Sequence, residues 1–294
     1  MNNGDRKKTT SNQNAAEQDV RLLRDYFQLD KPDLGRLYAE WAGKDAHFRS
    51  LVTTPNHNAK GEEEGNRLKF QGVRVLRQDP VECLFSFICS QNNNIARISG
   101  MISKLCSLFG EAVTVGSSVY YDFPTLARLS EHGVTAQLRE AGFGYRAGYV
   151  QAAASKVLTE HGGERWLFDL RRKSYEEAKR ALLTLPGVGP KVADCVLLMS
   201  LDKPGTVPVD THVLQVTAAH YMPQLLKQPN LTPKIHDDIG AFYREKFGDW
   251  AGWAQCVLFS ADLKQFSAAS TSNTAGRKRR ANSLSVRSRK KRRK

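Results

Sequence analysis

Two helical runs separated by only four residues constrain this chain more than any other stretch. YEEAKRALLTL and PKVADCVLLMSL both place apolar residues three and four apart, and PGVG is all that joins them. A link that short folds the helices back on each other, so a helical hairpin spans about residues 175–200. Gly187 and Gly189 leave the bend free of side chains and can take backbone angles closed to other residues. The bend therefore directs spare N–H groups and the positive end of the second helix at one point. That point suits a phosphate, although an ordinary glycine-capped helix pair has the same sequence, and the turn alone does not choose.

The same spacing recurs in VRLLRDYFQL, LGRLYAEW, VECLFSFICS, IARISGMISKLCSLF, YVQAAASKVL, IGAFYREKF and AGWAQCVLFSADL, while strand-like alternation is nearly absent. Helix starts are signalled by Asp79-Pro80-Val81-Glu82 and by Ser174 with Glu177. The expected class is all-α, with a core over 17–266 that is large enough for two lobes. Residues 1–16 and 267–294 are polar and expected to be disordered, and TTPNHNAKGEEEGNR, 53–67, is expected to be a surface loop.

Net charge is +14, but residues 277–294 hold 11 Lys and Arg and no acid, so the preceding 276 residues carry 33 basic against 30 acidic groups. The body is nearly neutral and would bind a polyanion only through a local patch. The tail clusters RKRR and RKKRRK resemble a nuclear-import signal, which makes the nucleus the expected location with a mitochondrial pool open. Five cysteines, Cys83, Cys89, Cys106, Cys195 and Cys256, show no CxxC spacing, so neither a disulfide framework nor a zinc site is expected. No apolar run reaches membrane-spanning length and no secretory leader is recognisable, so a soluble intracellular protein with no membrane partner is expected.

Lys191 opens the second helix of the hairpin, and nineteen residues later Asp210 follows a V-P-V turn ahead of another amphipathic helix. Asp210 suits a helix N-cap, which is compatible with a catalytic carboxylate held rigidly. A helix N-terminus and partial desolvation favour a nucleophilic free amine at Lys191, whereas a nearby Asp210 opposes it.

LPGVGPKVADC followed by VPVD resembles the helix-hairpin-helix, Gly/Pro-rich loop and aspartate signature of the endonuclease III superfamily of DNA glycosylases. DPVECLFSFICSQNNNIARISGM, GFGYRAGYV, SYEEAKRALLTLPGVGPKVADCVLLMSLDKPGTVPVDTHV and WAGWAQCVLFSADL are similar to the eukaryotic 8-oxoguanine DNA glycosylase/AP lyase family within it, over about residues 17–265. Relatives that carry a four-cysteine iron-sulfur cluster fit poorly, since only Cys256 lies beyond Asp210. Monofunctional relatives lack the lysine found at Lys191.

The resemblance implies a two-lobed helical helix-hairpin-helix glycosylase fold and removal of 8-oxoguanine opposite cytosine, followed by β-elimination at the abasic site. It implies no cofactor, no catalytic metal, no obligate protein partner and a monomer acting on double-stranded DNA that contains oxidised guanine. Lys191 would be the nucleophile and Asp210 its electrostatic partner. Pro208, Cys195, Gln255 and Phe259 would form the base pocket. Asn92, Arg97 and Arg146 would contact the cytosine left behind, Tyr145 would wedge into the stack, and His212 would reach a phosphate. The amides around Gly187, Gly189 and Val192 would complete the backbone clamp.

The family's N-terminal antiparallel β domain is expected to be missing, because VRLLRDYFQLD corresponds to sequence just past it and residues 1–16 show no alternating pattern. Two other functions remain open at this level. One is excision of another damaged base on the same scaffold, and the other is a noncatalytic DNA-binding module in which Lys191 supplies only charge.

Overall fold

A computed structural model describes residues 16–57, 63–68, 72–228 and 230–261. The polar N-terminal residues 1–15, the polar connection 58–62 and the basic tail 267–294 lie outside the described residues. The chain divides into two units, one formed by the stretch to Leu37 together with Arg74–Trp253 and the other by Tyr38–Val73 together with residues from Ala254.

Helix α1 covers 16–26 and α2 covers Leu34–Lys44. In the second unit, α3 (Ala46–Val52) begins where the Asp45 carboxylate accepts a hydrogen bond from the Phe48 amide, 2.5 Å away. Tyr38, Trp41 and Phe48 are buried with ring centroids 5.6–6.0 Å apart and form the aromatic heart of this unit. Strands β1 (Thr53–His57) and β2 (Glu63–Leu68) follow as an antiparallel pair in which Thr53 faces Leu68. The stretch expected to be a surface loop is therefore a hairpin; its residues lack the apolar alternation by which strands are recognised.

The larger unit is helical. The Asp79 carboxylate caps α4 (Pro80–Ser90) by accepting from the Val81 and Glu82 amides, with Pro80 in the first turn where no amide is missed. Asn94 caps α5 (Ile95–Phe109). A second ribbon, β3 (Ala112–Val115) with β4 (Ser118–Tyr121), turns through Gly116 at φ +62°. Short helices α6 (Leu126–Ser130) and α7 (Val134–Glu140) lead to α8 (Arg146–His161), which ends at the left-handed Gly162, and then to α9 (Glu164–Asp169). Ser174 and Glu177 form a complete capping box on α10 (Tyr175–Leu183). The chain continues through α11 (Pro190–Ser200), α12 (Thr211–His220), α13 (Pro233–Phe247) and α14 (251–261).

The core of this unit gathers Leu84, Phe85, Ile88, Leu105, Phe143, Val150, Leu182 and Leu197 from α4, α5, α8, α10, α11 and the turn before α8. Helix α11 packs on α4 and α10, so the hairpin bend emerges at the edge of a close-packed body. The helical class expected from apolar spacing stands, with strands among the described residues confined to the two hairpins.

Candidate functional site

The bend between α10 and α11 is drawn tight by a Val188 amide bond to the Leu185 carbonyl, 3.1 Å. Gly187 has φ +78°, and a β-carbon there would lie 2.6 Å from Tyr149 of α8. Both facts require glycine. Gly189 stands at the N-cap of α11 with no side chain capping the helix, and Pro190 occupies the first turn. The helix's own ladder starts only with the Ala193 amide bonded to Gly189, so the amides of Lys191 and Val192 precede it. An uncapped helix end of this kind is an anion seat.

Asp210 caps α12, and both bonds, from the His212 and Val213 amides at 3.0 and 2.9 Å, go to the same oxygen, Oδ1. Oδ2 is not used in the cap. Lys191 and Asp210 line one cleft of about 540 Å³ together with Gln91, Asn92, Gly189 and Val192. The nineteen-residue separation in sequence thus closes to a shared cavity. Lys191 Nζ sits 5.1 Å from the centroid of the Phe87 ring, whose face attracts a cation. One turn along α11, burial pushes the Cys195 thiol up to about 11, although Lys191 beside it pulls the other way by charge and by hydrogen bond.

The remaining sequence-derived residues are placed as follows. Pro208 is buried just ahead of Asp210, and His212 is half-buried in the first turn of α12. On α14, in the second unit, Gln255 is buried and Phe259 half-buried. Asn92 is exposed at φ +43°, and the exposed Arg97 donates to the Gly142 carbonyl at 3.1 Å. Tyr145 is 53% exposed at the start of α8. Arg146, unlike the exposed Asn92, Arg97 and Tyr145, is only 3% exposed. Its Nε donates to the Gln91 carbonyl at 3.0 Å, its Nη2 to the Gln91 and Asn92 carbonyls, and the guanidinium lies 4.5 Å from the Tyr145 ring centroid.

Three features escaped sequence reasoning. Phe87 underlies the lysine, and Gln91 bridges the 91–94 turn to the hairpin. Asp194, three residues past Lys191, is 1% exposed and meets Tyr175 Oη, Lys179 Nζ and His236 Nε2 at 3.2 Å each. Burial pushes the Asp194 carboxyl up against the pull of Lys179 and His236. Burial pulls Lys179 down, yet Asp194 and Tyr175 hold it above its ordinary value. Among the described residues no three His, Cys, Asp or Glu side chains gather to hold a metal ion.

The hairpin, the lysine and the capped aspartate lie within the match to a family model. Residues 85–236 match the model of the HhH-GPD superfamily of base excision DNA repair proteins. This chain belongs to that superfamily. Residues 4–84 match the model of the 8-oxoguanine DNA glycosylase N-terminal domain, and what is described of that stretch holds α1, α2, α3, the start of α4, the turns between them and, as its strands, β1 and β2. The chain is 41% identical over 231 residues to the N-glycosylase/DNA lyase OGG1 of Arabidopsis thaliana, covering 78% of this chain and 59% of that protein. It is 40% identical over 231 residues to the N-glycosylase/DNA lyase of Saccharomyces cerevisiae, covering 71% and 61%. The alignments thus span about three fifths of these relatives' lengths.

Among solved structures, MBOgg1 in complex with a low-affinity DNA ligand superposes with TM-score 0.69 at 33% identity, covering 84% of this chain and 75% of the other. The Clostridium acetobutylicum 8-oxoguanine glycosylase/lyase in complex with double-stranded DNA containing cytosine opposite 8-oxoguanine gives TM-score 0.69 at 29% identity, covering 85% and 76%.

Proposed function

We propose that this chain is a DNA glycosylase with lyase activity that removes 8-oxoguanine opposite cytosine. The observation that carries the reading is the meeting of Lys191 and Asp210 on one cleft beside the uncapped start of α11. The hairpin amides hold a backbone phosphate and set the register of the strand without reading its sequence. The damaged nucleotide leaves the stack at a cost of a few kcal/mol. The Lys191 amine attacks C1′ of its sugar as the base departs with the bonding electrons and takes up a proton; the nitrogen then loses its proton and its lone pair opens the C1′–O4′ bond, O4′ being protonated, to leave a Schiff base that acidifies C2′, so that loss of a C2′ proton breaks the C3′–O3′ bond and releases the 3′ strand as its phosphate. Asp210 Oδ2 offsets the positive charge that develops at the sugar. Tyr145, exposed at the start of α8, is assigned the role of a wedge, and Asn92, Arg97 and Arg146 are assigned to the cytosine edge, by resemblance. Cys195, Pro208, Gln255 and Phe259 are assigned to the lesion base by resemblance.

Borohydride trapping tests the reading. The protein incubated with an 8-oxoguanine:cytosine duplex and reduced is expected to give a covalent complex, and Lys191→Gln to abolish it while DNA binding persists. A folded, DNA-bound wild type that never traps would make the hairpin a noncatalytic clamp. Trapping on a different lesion in a panel of duplexes, but not on 8-oxoguanine, would move the substrate assignment.

A further inference from the structure

Gln91 holds both ends of a short relay. It is the residue after α4, with φ −59° and ψ 128°, and Asn92 next to it has φ +43°. Its side-chain Nε2 donates to the Ile88 carbonyl at 3.0 Å and to the Gly187 carbonyl at 2.9 Å, which uses both amide hydrogens. Its own carbonyl accepts from Arg146 Nε, from Arg146 Nη2 and from Tyr145 Oη at 3.4 Å. One residue therefore connects the bend that presents Lys191 to the two side chains at the start of α8.

The connection is tight at each end. Gly187 is packed against Tyr149, one turn into α8, and cannot slide without moving Gln91 or that ring. The Arg146 guanidinium is 3% exposed and spends its donors on the Gln91 and Asn92 carbonyls. A ligand that draws this guanidinium to itself takes donors away from Gln91. The turn 91–92 then loses its outer fastening while its inner one, the Gly187 bond, remains. A chain of hydrogen bonds with two such arrangements transmits a change at one end to the other.

We propose that Gln91 is a positioning residue that makes the placement of the Lys191 hairpin depend on what Arg146 and Tyr145 hold. Resting on the glycosylase reading, it makes Lys191 respond to the base opposite the lesion. Both side-chain donors of Gln91 are taken by protein carbonyls, so its part is to hold the hairpin. Gln91→Met keeps the length and removes both amide donors, and Gln91→Glu places a carboxylate against the Gly187 carbonyl.

The test compares both variants with wild type on duplexes carrying a preformed abasic site opposite cytosine or adenine, read as the borohydride trapping rate. Wild type is expected to trap faster opposite cytosine. Each variant should lower the cytosine-to-adenine ratio by about fivefold, the factor of one hydrogen bond. A merely structural Gln91 slows both duplexes alike and leaves the ratio unchanged, which overturns the proposal. Amide hydrogen exchange over 185–192 is measured on the same complexes. Wild type should differ between cytosine and adenine duplexes and the variants should not, and identical wild-type exchange also overturns the relay. A wild type that traps on neither duplex refutes the glycosylase reading instead, and the exchange comparison then decides the coupling by itself.

Discussion

Replacing Asp194 by Asn tests how the hairpin is braced. The carboxylate is 1% exposed and is the meeting point of α10, α11 and α13 through Tyr175, Lys179 and His236, each 3.2 Å away. The variant preserves shape and removes the charge, so Lys179, whose side chain is 15% exposed, keeps only the Tyr175 hydroxyl at 2.7 Å. Stranding one member of a buried pair costs about 3–5 kcal/mol, and because Lys179 reaches some solvent the lower end, about 3 kcal/mol, is expected. For a domain of this size that is a fall in Tm of about 6–12 °C. Thermal and urea unfolding measure it. Adding Lys179→Met removes the stranded charge, so the double variant should recover more than half of the loss. A single variant within about 1 kcal/mol of wild type, or a double variant no more stable than the single, would refute the idea that charge pairing rather than packing holds these helices together.

Asp210→Asn should separate structure from chemistry, since asparagine caps helices about as well as aspartate. Unfolding should change by less than about 1 kcal/mol, while trapping falls by on the order of 10²-fold or more with the loss of the carboxylate; equal trapping would remove Asp210 from the chemistry. Burial raises the Cys195 thiol from 9.0 to about 11, so the stability associated with the protonated thiol is complete below pH 9 and is lost as pH rises through about 11. At pH 8 in the folded protein Cys195 should resist iodoacetamide, as should the fully buried Cys83 and Cys89, while the half-buried Cys106 and Cys256 label ahead of them. Mass spectrometry showing Cys195 labelled as fast as Cys106 would contradict its burial.

What sequence reasoning could reach follows from distance along the chain. The hairpin, its glycines, Lys191 and the Asp210 cap occupy 26 residues from Leu185 to Asp210, and local rules suffice there. The Asp79 cap and the Ser174–Glu177 box were legible for the same reason. Ribbon β3–β4 was overlooked although AVTV and SVYY alternate around a Gly-Ser turn. Its residues are exposed on both strands, so no core face reinforces the pattern. The Asp194 cluster and the Gln91 relay left no local trace, because their contacts cross up to 96 residues of sequence. Arg146 shows the same limit from another side: its sequence neighbourhood says nothing of a guanidinium turned inward onto two carbonyls.

The close approach of Gly187 to Tyr149 limits how this molecule can be diversified. A left-handed backbone and a neighbouring ring 2.6 Å from any added carbon are two separate vetoes. Trimming the tyrosine lifts neither, since its own β-carbon is among the atoms too near and the torsion stays as it was. Selection experiments that randomise the bend will return glycine at 187 whatever they are asked to recognise, and new preferences will have to be written into the walls around it.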